Sequence, residues 1–217
     1  LVGGKGASLG ELYRELVPEG VRVPNGFTTT ATAYRRFLEA PASRDAWLDV
    51  PEPEGLPRLK AEAIREDTLA AALRRAFEGA RPADHLEMHA RTKLARDLVV
   101  RAPVPVEVER AIRSGYDALC DEYGAQVDVA VRSSATVEDS EEASFAGQCE
   151  SYLNVHGADD VVTQWKHCCA SLFTERAVSY QVAKELDPLA AALAVVVMKM
   201  VRSALAPSGV MFPLAPA

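Results

Sequence analysis

Residues 129–148 contain the run Val129-Ala130-Val131-Arg132-Ser133-Ser134-Ala135-Thr136 and, after an acidic segment, the run Ala143-Ser144-Phe145-Ala146-Gly147-Gln148. Valines that alternate from Val127 to Val131 predict a β-strand that delivers Arg132 at its end. The two serines that follow, Ser133 and Ser134, place hydroxyl groups beside the planar N–H donors of the guanidinium. Such a set of donors suits bidentate recognition of phosphate.

The second run is made of small residues, which predict a flexible loop able to fold over a polyphosphate. This loop ends at Gln148, which we assign a supporting role next to the ligand. Carboxylates at the density found between the two runs are more often solvated than bound to metal, although they could help to hold Mg²⁺. These acidic residues are Glu138, Asp139, Glu141 and Glu142.

A glycine-rich segment, Gly3-Gly4-Lys5-Gly6, stands near the start of the sequence and is predicted to form a flexible turn. The residues after it place leucines and a tyrosine on one helical face, which predicts a helix over 7–16. The amides and the dipole at the N-terminus of that helix would face an anion held by the turn, and Lys5 adds a mobile positive charge. The spacing is not that of a P-loop, and an ordinary loop is the alternative for this turn taken alone.

A third segment, residues 193–203, is a nearly continuous apolar run that ends in Lys199 and Arg202. Its β-branched residues predict a buried strand over 193–201, and residues 210–212 predict the returning strand of a hairpin. We hypothesise that the first strand lines an adenine slot with Met198 and reaches towards phosphates. The alternative is that its methionines are ordinary core residues.

The remaining pattern predicts strands that alternate with helices, and therefore an α/β or α+β fold. Helices are expected around residues 28–38, 59–77, 85–100, 107–123 and 161–186, and short strands at 21–23 and 152–155, with a turn at Pro24-Asn25-Gly26. Residues 41–105, which are rich in alanine and charge, are interpreted as a helical insertion. We expect the charges of this insertion to form a solvated surface.

The composition excludes several classes of partner. A net charge of −7 gives no electrostatic reason to expect nucleic acid or an anionic membrane surface. The longest apolar run, 189–198, is too short to span a membrane, and no secretory signal is visible. The cysteines lack C-x-x-C spacing, so we interpret them as thiols in a reducing cytoplasm: Cys120, Cys149, Cys168 and Cys169.

Taken together and in order, these segments resemble the N-terminal nucleotide-binding domain shared by phosphoenolpyruvate synthase, pyruvate phosphate dikinase and rifampin phosphotransferase. The resemblance covers the whole chain except about residues 41–105, and the synthase branch is the most similar. It is carried by five collinear motifs: Leu1 to Leu12, Val23 to Phe27, Arg132 to Gln148, Trp165 to Tyr180, and Met200 to Phe212.

The resemblance implies an ATP-grasp-like fold that holds ATP·Mg²⁺ between two lobes. Lys5 and Arg132 would bind the phosphates, Gly147 would approach them through its backbone, and Ser151 would lie near the nucleotide. In the synthases, ATP phosphorylates a histidine on a mobile domain, and that histidine phosphorylates pyruvate on a third domain. None of the four histidines here resembles the phosphocarrier motif, so we expect no catalytic residue within this chain. We also nominate no metal ligand, because the resemblance places the acidic ligands of the family in a later stretch.

The chain also departs from the family pattern. Met198 stands where the family usually has Gln, so we expect a polar contact to the adenine to be lost. We predict a first lobe over 1–130 and the start of a second lobe over 131–217, with the acidic metal ligands beyond it and the isolated chain inactive. A rifampin phosphotransferase-type ATP-binding domain and a non-catalytic nucleotide-binding remnant are the alternatives.

Overall fold

The computed structural model describes residues 2–41, 44–135, 150–183 and 187–202, together with Leu205 and Gly209. Within these residues the helices are α1 (Gly3–Leu16), α2 (Ala31–Leu38), α3 (Pro57–Ala63), α4 (Leu69–Phe77), α5 (His85–Arg101), α6 (Val106–Tyr123), α7 (Ala158–Ala170) and α8 (Glu175–Ala183). The strands are β1 (Gly26–Thr29), β2 (Val129–Ala135), β3 (Ser151–Val155) and β4 (Leu193–Lys199). Short 3₁₀ helices span Arg44–Trp47 and Ser171–Phe173.

The four strands form one sheet in the order β1-β4-β2-β3, and every neighbouring pair is antiparallel. The prediction of a mixed α and β fold is therefore confirmed. β4 is a central strand, because β1 pairs with its residues 195–198 and β2 pairs with its residues 193–199. The predicted returning strand at 210–212 lies outside the described residues and stays a prediction.

The sheet has two unlike faces, because side chains alternate along each strand and cross-strand partners share a face. One face, which we call the helical face, packs against α2, α6 and α7. Its residues include Phe27, Thr29, Val129, Val131, Ser133, Leu193, Val195 and Val197. The other face, which we call the α1 face, carries Gly26, Thr28, Ala130, Arg132, Ser134, Ser151, Ala194, Val196 and Met198.

The helical face covers the main core of the protein. Trp165 of α7 is fully buried, meets the ring of Phe37 edge-on at 5.2 Å between centroids, and donates a hydrogen bond from Nε1 to Thr29 Oγ1 at 2.9 Å. Gly115 of α6 lets that helix rest on the ring of Phe27, since a Cβ there would lie 2.8 Å from it. Both contacts fix β1 against the helices.

The helices of residues 41–105 belong to this same core, so they are more than a surface insertion. Leu73, Met88 and Leu98 are fully buried in one apolar cluster with residues of the sheet. The expectation that the charges here are solvated fails at Glu87 and Arg91, whose side chains are 7% and 8% exposed and form an ion pair at 2.7 Å. A charge can be buried in this way when its partner is buried with it.

The structure corrects the sequence-based prediction at three places where pairing or packing decides the outcome. Gly3–Gly6 form the first turn of α1 rather than a flexible turn before a helix. Residues 21–25 form no strand; β1 begins at Gly26, where its pairing with Met198 begins. Arg132 does not end its strand, because β2 remains paired with β4 as far as Ala135.

The other predicted helices and strands that fall on described residues agree with the structure apart from their ends. The region 59–77 divides into α3 and α4, and 161–186 corresponds to α7 and α8. The proposed boundary between two lobes at residue 130 would fall inside β2, and strands from both sides of it share the sheet. The division into lobes stays a prediction.

Among the helices that the structure describes, none is both long and apolar enough to cross a membrane.

Candidate functional site

The α1 face carries four of the residues predicted from the sequence: Arg132, Ser134, Ser151 and Met198. Arg132 and Ser151 are cross-strand partners on β2 and β3, and Arg132 Nε donates a hydrogen bond to Ser151 Oγ at 3.2 Å. Both side chains are exposed to solvent. The pairing of the strands therefore places an arginine and a serine, 19 residues apart in sequence, at one accessible point of the sheet.

The N-terminus of α1 lies against the same face, next to the end of β2. Gly3, the first residue of the helix, has a φ of +68°, and a Cβ on it would lie 2.3 Å from Ser134 Oγ. Such a close approach is open only to glycine, which also tolerates this left-handed backbone conformation. Gly3 therefore lets the first turn of α1 reach the strand that carries Arg132.

Lys5 belongs to this first turn and is partly buried. No acidic residue lies in the first turn, and the side chain of the N-cap residue, Val2, makes no capping hydrogen bond. The N-terminus of a helix carries a partial positive charge and unpaired N–H groups, both of which favour an anion. Lys5 and Arg132 thus lie on the same side of the sheet, as the hypothesis of a shared phosphate site requires.

A small cavity of about 170 Å³ separates α1 from the sheet further along the helix. It is lined by Gly6, Gly10 and Tyr13 of α1 and by Thr28, Val196 and Met198 of the sheet, among other residues. Pockets for drug-sized ligands are usually about 300–1,000 Å³, so this one accommodates at most part of a nucleotide. Met198 borders this cavity, and the adenine slot stays a prediction.

Ser133 and Ser134, both predicted to support the site, lie on opposite faces of the sheet. Ser134 lies on the α1 face, whereas Ser133 lies on the helical face opposite Val195 and contacts the backbone oxygen of Glu150 through its own Oγ at 3.4 Å. Ser133 is 2% exposed, so it supports the connection to β3 rather than the α1 face. Gly147 and Gln148 lie outside the described residues, and their roles stay predictions.

The basic residues at the end of β4 have partners at the far end of the sheet. The Lys199 ammonium lies 4.4 Å from the centre of the Tyr123 ring, and Arg202 forms an ion pair with Asp128. Asp128 also pairs with His156 Nδ1 at 2.8 Å. The idea that Lys199 and Arg202 reach towards phosphates therefore finds no support in their contacts.

Some residues of the α1 face carry no chemical signal that would have identified them from sequence. Thr28 and Gly26 are examples. A Cβ added to Gly6 would lie 3.3 Å from the Thr28 side chain, and a Cβ added to Gly26 would lie 2.4 Å from the Val197 oxygen. Their position depends on the pairing of β1 with β4, which joins residues about 170 apart. A strand order of this kind is not readable from local periodicity.

Comparison with known proteins identifies the group to which this arrangement belongs. Residues 1–217 match the family described as the pyruvate phosphate dikinase AMP/ATP-binding domain. The chain belongs to this family. The match extends through residues 41–105, which the motifs considered above did not cover.

Curated relatives of the chain are named phosphoenolpyruvate synthase. The chain is 45% identical to one from Synechocystis sp. over 219 residues, which cover 99% of the chain and 24% of that protein. It is 41% identical to those from Aquifex aeolicus and Escherichia coli K12, with 99% and 98% of the chain and 22% and 24% of the relative covered. The chain thus spans about a quarter of the length of the curated relatives it matches.

Proposed function

We propose that the α1 face binds the phosphates of ATP, with Lys5 and Arg132 as its cationic contacts. The observation that carries this proposal is the approach of Gly3 to Ser134, which joins the N-terminus of α1 to the strand that bears Arg132. In an ATP-binding family, a helix N-terminus, an arginine and a lysine on one face of a sheet supply the donors and the positive charge that bind a polyphosphate. Ser151 would orient the Arg132 guanidinium through their hydrogen bond.

The described residues suit a triphosphate better than they suit a metal ion. The first turn of α1 offers backbone donors and no acidic side chain, and Arg132 is exposed on the face of the sheet against which that turn packs. Within the described ranges, no group of three or more His, Cys, Asp or Glu side chains could hold a metal. Mg²⁺, when bound with ATP, would neutralise part of the phosphate charge, and we expect its ligands mainly outside this chain.

A wider proposal concerns a protein as long as the curated relatives, in which this chain would be one part. We propose an ATP-grasp-like arrangement in which this chain supplies the nucleotide site of a phosphoenolpyruvate synthase-like dikinase. Phosphate would pass from ATP through a phosphohistidine on another domain to pyruvate. The identity to relatives named phosphoenolpyruvate synthase supports this branch over the rifampin phosphotransferase alternative.

The direct test is ATP binding to the purified chain by calorimetry, with Lys5→Ala and Arg132→Ala as the informative variants. A hydrogen bond to a charged group contributes about 1.5–3 kcal/mol, so each variant should weaken binding by roughly 10- to 150-fold. Arg14→Ala is the matched control, because Arg14 lies on the same helix with a side chain that is 74% exposed. It should leave affinity unchanged.

Binding that is indifferent to Lys5→Ala and Arg132→Ala would contradict the phosphate assignment. We also expect no ATPase or dikinase turnover from this chain alone. A turnover that disappears with Arg132→Ala would contradict that expectation while supporting the site.

A further inference from the structure

Ser134 is a buried hydroxyl without a partner at the N-terminus of a long helix. Its side chain is fully buried, and its Oγ has no hydrogen-bond partner among the described residues. The same Oγ is directed at Gly3, the first residue of the 14-residue helix α1. Two kinds of hydrogen-bonding group that ordinarily require partners therefore meet here: the Ser134 hydroxyl and the first-turn amides of α1, which the side chain of the N-cap residue does not cap.

An unpaired buried hydroxyl is unfavourable, because folding removes its water without supplying another partner. The neighbouring Ser133 shows that β2 is able to satisfy such a group, since its Oγ contacts the Glu150 carbonyl oxygen. The described contacts therefore give the Ser134 hydroxyl no role in stabilising the fold. An oxyanion at the end of α1 would accept hydrogen bonds from both the hydroxyl and the amides.

We infer that Ser134 Oγ and the first-turn amides of α1 form a seat for one phosphoryl group of the nucleotide. This inference rests on the proposed function and adds to Lys5 and Arg132 a third side chain, that of the buried Ser134. Entry of the oxyanion requires the first turn of α1 to move away from Ser134, because the two are in contact without it. Gly3 and Gly4 give that turn the freedom to move.

The experiment compares Ser134→Ala with Ser133→Ala in the 217-residue chain. For each variant, thermal unfolding is measured without ligand, and affinities for ATP, ADP and adenosine are measured by calorimetry. Ser134→Ala should leave the melting temperature equal or higher, because it removes an unpaired polar group. It should weaken ATP and ADP by on the order of 10-fold or more and leave adenosine unchanged.

Ser133→Ala should show the reverse pattern, with a lower melting temperature and unchanged ATP affinity, since it loses a contact on the helical face. The inference is overturned if Ser134→Ala binds ATP like the wild type, or if it weakens adenosine and ATP equally. It is also overturned if Ser134→Ala lowers the melting temperature as Ser133→Ala does, because the hydroxyl is then structural. Arg132→Ala separates the two levels: if it weakens ATP while Ser134→Ala does not, the proposed function stands and only the seat is lost.

Discussion

The two faces of the sheet are built from the same four strands and differ in almost every other respect. The helical face is apolar and lies under several helices, with Trp165, Phe37 and Val197 fully buried. In the part of the chain that the structure describes, the α1 face is covered by α1 alone, a helix in which only Gly6 is buried, and it bears an exposed Arg132. Leu12 of α1 remains 46% exposed.

The stability of this domain and its proposed chemistry therefore depend on opposite faces of the sheet. Burial of large apolar side chains stabilises the helical face, at roughly 25 cal/mol for each Å² removed from water. The α1 face holds glycines, hydroxyls and cations, which contribute little to a core but leave room and donors for an anion. Regions that bind ligands are commonly drawn from the less stable parts of a fold.

The largest difference in the free energy of unfolding should come from truncating one large side chain on each of the two faces. Trp165→Ala removes the contact with Phe37 and the hydrogen bond to Thr29, and should lower the free energy of unfolding by about 3–5 kcal/mol. Leu12→Ala, on the open side, should change it by less than about 0.5 kcal/mol. Urea denaturation of both variants measures the difference, and similar losses would show that the two faces contribute equally.

A second contrast concerns ion pairs. Glu87→Gln leaves Arg91 buried with its hydrogen bond to the Ala76 oxygen at 2.6 Å but without a carboxylate, and should destabilise by about 3 kcal/mol. Glu15→Gln breaks the exposed pair with Arg14 on α1 and should have no measurable effect. Denaturant midpoints measure the change in the free energy of unfolding for both variants. If Glu87→Gln leaves that free energy unchanged, the buried ion pair does not stabilise the fold.

The same pair predicts a dependence on pH. Burial alone would raise the pKa of Glu87, but hydrogen bonds from Arg91 and Arg81 outweigh it and hold the pKa below its ordinary value of 4.5. A carboxylate with a lowered pKa stabilises the fold fully above its unfolded pKa, and this contribution is lost as pH falls through the folded value. The stability difference between wild type and Glu87→Gln should therefore be full at pH 7 and shrink below pH 4.5; a constant difference down to pH 3 would contradict this assignment.

The helical face was the more predictable of the two from the sequence. Burial is predictable there from local pattern: valines in β2 and β4, and apolar residues at helical spacing in α6 and α7. These elements therefore agree with the prediction. The α1 face was predicted through single residues such as Lys5 and Arg132. Their common location follows from the strand order, and the strand order depends on pairings between distant residues.

The misses share one physical cause. The strand expected at 21–23 forms instead at Gly26–Thr29, because β4 supplies a pairing partner there. The buried Glu87 and Arg91 look like surface charges in sequence, since the partner that permits their burial is visible only in three dimensions. Ser133 and Ser134 are alike in sequence, and only the register with β4 assigns them to opposite faces.

The smallest effect, and the one most specific to the α1 face, is expected from two glycines of the same helix. Gly3→Ala places a Cβ 2.3 Å from Ser134 Oγ at a φ of +68°, so it should destabilise by about 1–3 kcal/mol, and it should weaken ATP binding because the methyl group would occupy the space between Ser134 Oγ and the first turn that the phosphoryl group is proposed to enter. Gly10→Ala has no neighbour within 4 Å and lies inside the helix, so it should stabilise by about 0.5–1 kcal/mol. Thermal unfolding with and without ATP measures both. If the two alanines behave alike, Gly3 is not in close contact with β2, and the first turn of α1 does not share a site with Arg132.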